Sequence, residues 1–100
     1  MVPNSSAKVG SGYGNVFTKE GPIEFLNGTG VVCLNKGDYD THFHATMCDK
    51  EGTVFGGHLV KGMTPALTTV DIIIIEIKGL QMLREYDKET DLTQFLPKAE

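Results

Sequence analysis

The sequence predicts a strand-dominated domain with a largely antiparallel sheet and little helix. Three observations carry this. Short β-rich runs such as VVCLN (Val31–Asn35) and DIIIIEI (Asp71–Ile77) are separated by glycine-bearing turns. No segment keeps a helical hydrophobic period over three turns. The block THFHATMC-DKEG-TVFGGHLV has two alternating runs around an acidic turn ending in glycine, the pattern of a β-hairpin.

Taken in order, residues 1–9 read as a flexible N-terminal segment, extended around Ala7–Val9, and residues 10–97 as a single domain. NVFTK (15–19) and Ile23–Leu26 are expected as short strands. NGTG (27–30) is expected as a turn before VVCLN, and NKGDYD (35–40) as a turn or loop. After the hairpin, Leu67–Lys78 is the longest strand candidate. Its β-branched run suits a strand buried on both faces. Leu80–Asp87 is expected as a further strand, and DLTQFL (91–96) as one helical turn closed by Pro97.

Bulk properties narrow the function classes. The chain has 100 residues, 40% hydrophobic and 22% charged, with net charge −4. A single arginine, Arg84, leaves no arginine cluster for phosphates or base edges, so non-specific nucleic-acid or anionic-membrane binding is disfavoured. The longest isoleucine run, Ile72–Ile75, is far too short to span a bilayer. Cys33 and Cys48 form no CxxC pair and suit a reduced, intracellular protein. The N-terminus lacks the basic-then-apolar pattern of a secretory leader. A chain this short is marginally stable alone, so a metal or self-association is a plausible source of further stability.

All three histidines fall in HFHATMCDKEGTVFGGHL (42–59). On a strand, His42 and His44 share one face. A three-residue loop, Lys50-Glu51-Gly52, pairs Asp49 with Thr53 and sets His58 directly opposite His44. The three imidazoles then converge, which suits a divalent transition metal, zinc first, with a fourth position left open. Gly56 and Gly57 precede His58; a bulge there would move His58 to the other face. Cys48 shares the histidine face by parity but sits at the turn. Glu24, Asp71 and Glu76 are candidate acids, with exposed strand carboxylates the simpler reading for each. Arg84 could orient an anion, and a solvated strand arginine is again the simpler reading. GSGYGN (10–15) lacks the GK[ST] ending of a phosphate loop and reads as a strand connection.

GSGYGN, PIEFLNGTG, HFHATMCDKEGTVFGGHL and TTVDIIIIEIKGL together resemble the plants-and-prokaryotes-conserved (PPC) domain, found in prokaryotic proteins and in plant AT-hook nuclear proteins. The similarity runs from about Gly10 to Leu96. It implies an α+β domain on a twisted antiparallel sheet, a homotrimer, and a metal site on His42, His44 and His58. It also implies a DNA-associated or regulatory binding role, although no RGRP-type hook is present and the net charge disfavours DNA. Relative to the family pattern the sequence reads as a short form without the usual N-terminal strand and helix, which would leave an apolar sheet face for self-association. The expected location is the cytoplasm of a prokaryote or, in a eukaryote, the nucleus. The alternative function is a zinc-dependent lyase or hydrolase acting on a small carboxylic acid or ester, because zinc-bound water ionises near neutral pH. The residues leave open whether the chain is an enzyme.

Overall fold

The computed structural model describes Met1 and residues 14–100. The expected extended segment at Ala7–Val9 and most of GSGYGN lie outside the described residues. Seven strands occur among the described residues: β1 (Glu24–Asn35), β2 (Asp38–Cys48), β3 (Val54–His58), β4 (Leu80–Gln81), β5 (Arg84–Asp87), β6 (Leu92–Phe95) and β7 (Lys98–Ala99). They form a three-stranded antiparallel sheet in the order β1-β2-β3 and two antiparallel pairs, β4-β7 and β5-β6. The strand-dominated antiparallel expectation holds, and no helix occurs among the described residues. Among the described residues, no helix is long and apolar enough to cross a membrane.

The first hairpin is longer than its sequence suggests. β1 runs without interruption through NGTG, so the expected turn at Asn27–Gly30 is strand. Its glycines serve close approach instead: a Cβ on Gly28 would stand 2.6 Å from the Phe25 ring and 2.7 Å from that of Phe43. The two rings stack with centroids 6.2 Å apart. A register shift between Phe25 and Asn27 absorbs the extra residue of a bulge. The turn itself is only Lys36-Gly37, both at positive φ (52° and 84°), the geometry of a two-residue hairpin loop. Asp38, Tyr39 and Asp40, expected in the loop, therefore belong to β2.

Four further expectations are corrected. Residues 15–19 form no strand. Leu67–Lys78 forms none either, and Ile72–Ile75 are between 70% and 92% exposed rather than buried on both faces. β-branched residues favour extended backbone, but a strand exists only through ladder bonds to a neighbour. Among the described residues no strand pairs with this run. Leu80–Asp87 is broken at Met82-Leu83, where the backbone turns to the first sheet: Leu34 N donates to Met82 O (2.7 Å), and Leu83 bridges Leu34 in parallel. DLTQFL is not helical. Leu92–Phe95 alternates half-buried and exposed, and pairs with Arg84–Asp87 across a loop whose Asp91 is left-handed (φ 57°). Apolar residues at 92, 95 and 96 fit a helical turn and a strand end equally well, and pairing decided for the strand.

Among the described residues, only Cys33 and Ala45 are buried apolar side chains. They lie on opposite faces of the three-stranded sheet, since Cys33 pairs with Asp40 on the even face of β2 and Ala45 is on the odd face. Burial raises the Cys33 thiol pKa above its ordinary value, the nearby Arg84 charge opposing, which makes it a poor nucleophile.

Candidate metal centre

The second hairpin builds the site. Asp49 organises its turn: its backbone N–H donates to Thr53 O (3.1 Å), and its Oδ1 accepts from Glu51 N (3.0 Å) and Thr53 N (2.9 Å). Gly52 takes the left-handed position at φ 81°. This is the three-residue loop expected from DKEG, and it sets the register Cys48↔Val54, Thr46↔Gly56 and His44↔His58. The glycines do not shift it. Gly56 and Gly57 stay in the ladder opposite Thr46 and Ala45. Gly57 adopts φ 150°, a backbone state that side chains rarely allow. At the outer edge of β3, His58 N donates to Met1 O (2.9 Å) and the Met1 amine donates to His58 O (2.8 Å).

His42, His44 and His58 therefore meet on one face. Their ring centroids lie 4.7 Å (His42–His44), 4.8 Å (His42–His58) and 5.6 Å (His44–His58) apart. One nitrogen from each lies within 4.8 Å of the others, a grouping that could hold a metal ion. Tetrahedral zinc at about 2.0–2.1 Å from each nitrogen holds its ligands roughly 3.4 Å apart. Small side-chain rotations close that difference. Three nitrogen donors on two adjacent strands, with His42 and His58 half-buried and His44 exposed, thus could hold a metal ion.

The surroundings of His42 and His58 favour their neutral form. His42 is held below its usual pKa of 6.5, first by burial, then by the charges of Arg84, His44 and His58, with Asp40 opposing. His58 is lowered too, by burial first, then by His44, the N-terminal amine and Arg84, again against Asp40. Neutral imidazole is the ligating form. A lowered folded-state pKa means that the unfolded chain binds protons more readily. Stability from these two groups is thus present above about pH 6.5 and lost as the pH falls through the lower folded values. The metal-free protein should melt at lower temperature at about pH 5 than at pH 7.5. In a proton NMR titration, His42 and His58 should show midpoints below 6.5; midpoints at or above that value would contradict the assigned environment.

A cavity of about 400 Å³ opens beside the histidines, lined by His42, His58, Asp40, Lys61, Arg84 and Thr93 among others. One of these, Asp40, is not a candidate in the sequence reading. Asp40 was taken as loop, yet it alternates with His42 and His44 on β2, so parity would have found it had the strand been started at Asp38. For Arg84 the sequence allows an anion-orienting role beside the simpler reading of a solvated strand arginine. Arg84 is half-buried, faces the cavity and donates from Nη2 to Thr93 O (2.9 Å). Only the packing of β5 against the end of β1 brings it there. Cys48 shares the histidine parity but stays at the turn opposite Val54, outside the histidine group. Glu24, Asp71 and Glu76 are exposed and stand apart from the cavity.

Comparison with known proteins bears on the family of the chain. No curated protein and no solved structure matches the chain. Residues 4–78 match the Plants and Prokaryotes Conserved (PCC) domain, a span that contains both hairpins of the main sheet and all three histidines. The match covers most of the chain, and the chain belongs to the PCC domain family.

Proposed function

We propose that the chain is a metal-holding binding module that acts as an oligomer, with His42, His44 and His58 as the ligands of one divalent ion, zinc first. The observation that carries this reading is the placement of three imidazole nitrogens within 4.8 Å of one another from two paired strands. Zinc suits an all-imidazole set without demanding a particular geometry of the protein. When bound, zinc would leave one position for water or an exogenous group and lower the pKa of bound water toward about 7.

Self-association rests on the apolar run. Ile72, Ile73, Ile74 and Ile75 are consecutive and between 70% and 92% exposed, with exposed Leu67, Val70 and Ile77 nearby in sequence. Such a segment calls for a cover, and further copies of the chain supply one by symmetry. The homotrimer that the family resemblance implies is the assembly proposed. DNA contact is not part of this reading, since the net charge is −4 and the single arginine faces the cavity. Native mass spectrometry of protein purified without chelator tests both parts. The expected species is a trimer with one zinc per chain; a metal-free monomer would refute the reading.

A further inference from the structure

The cavity beside the histidines carries more charge information than metal binding requires. Arg84 is half-buried in its wall and spends one donor on Thr93 O (2.9 Å). A guanidinium has five N–H donors in a fixed fork that matches a carboxylate, and the bond to Thr93 O is solvent-exposed. The ion pair Lys98–Glu85 (2.9 Å) leaves Arg84 out, although Glu85 is its neighbour in sequence. Asp40 lines the same cavity, yet its Oδ2 accepts from Asn35 Nδ2 (3.5 Å) and forms no ion pair with Arg84. Lys61 adds a second cation. The wall thus presents two cations against one carboxylate, and a bound divalent ion makes the balance more positive. Arg84 lines the same cavity as His42 and His58. The volume, about 400 Å³, is at the low end for ligand sites and suits a small ligand.

We propose that this cavity takes a small organic carboxylate, held by the Arg84 guanidinium and offering a neighbouring oxygen to the open position of the ion on His42, His44 and His58. The proposal rests on the metal reading above for its second contact, and on Arg84 for its first. It involves binding alone. Arginine matches a carboxylate with two parallel N–H···O bonds, and a hydroxyl beside the carboxylate supplies the oxygen that a divalent ion accepts. A short 2-hydroxy acid combines both groups.

The test is calorimetric titration of the zinc-loaded protein with lactate, with propane-1,2-diol as the probe that lacks the carboxylate. Lactate should bind and the diol should not. In Arg84→Gln, zinc content should remain that of the parent while lactate affinity falls roughly 10- to 100-fold, the worth of charged hydrogen bonds. Arg84→Lys keeps the charge without the fork. It should recover part of the affinity, which separates loss of the contact from loss of the fold. Absence of lactate binding by the zinc-loaded parent, equal binding of lactate and diol, or equal affinity in Arg84→Gln would overturn the proposal. Should the parent hold no zinc, the metal reading fails by itself. The same titration on the metal-free chain then decides: binding that depends on Arg84 upholds the carboxylate seat, and its absence removes it.

Discussion

His58→Ala should abolish stoichiometric zinc binding, taking the protein from one ion per chain to none at micromolar metal. The reason lies in where the ligands sit. His42 and His44 come from a single strand, and His58 alone ties the site to the next one. Without it two imidazoles remain, and a two-ligand site competes poorly with water for zinc. Changes in groups that merely support a ligand already cost about 10–100-fold in affinity. Loss of a ligand should cost more, at least about 100-fold by competition with a chelating dye. His42→Ala and His44→Ala should behave alike, because the ring centroids are separated by similar distances of 4.7, 4.8 and 5.6 Å. Cys48→Ser should leave zinc binding intact, since Cys48 is outside the group despite its shared parity. The metal-free His58→Ala protein should lose little stability, because the imidazole is only half-buried. A zinc content in His58→Ala equal to that of the parent would refute a shared site.

The legible part of this molecule was the part governed by local rules. DKEG has an aspartate to cap the turn and a glycine to take positive φ, so its loop length, and with it the pairing of His44 with His58, follows from counting. What failed depended on partners elsewhere in the chain. NGTG has turn composition, yet Gly28 and Gly30 are small because Phe43 lies over them. The isoleucines at 72–75 have strand composition, and among the described residues no strand offers them an edge. DLTQFL follows a period too short to separate a helical turn from a strand, and Arg84–Asp87 settles it by pairing. The same division applies to the site. The three histidines lie on one hairpin and could be read from it. Arg84 reaches the cavity through the Leu34–Leu83 bridge, a contact that no spacing rule encodes.

Gly56→Ala should destabilise the protein and weaken zinc binding together, although position 56 is not a ligand. A Cβ there would run into the main-chain carbonyl oxygen of Ala45 and approach Thr46 Cα to 3.3 Å. Both neighbours are backbone of β2, so no side chain can swing aside to make room. Relief requires β3 to lift from β2 two residues before His58, which carries the third imidazole away from the other two. Overpacking of this kind costs about 1–3 kcal/mol, a large share of the few kcal/mol expected for a domain this small. With roughly 4–8 °C per kcal/mol at this size, the melting temperature should fall by about 5 °C or more. Gly21→Ala is the matched control, because its Cβ would meet only Ile23 N at 3.6 Å, an ordinary contact. That variant should keep both stability and zinc affinity. The coupling is the informative quantity. If Gly56→Ala lowered stability yet bound zinc as the parent does, His58 would be held by something other than the β2–β3 ladder, and the geometric basis of the metal centre would have to be sought outside the hairpin.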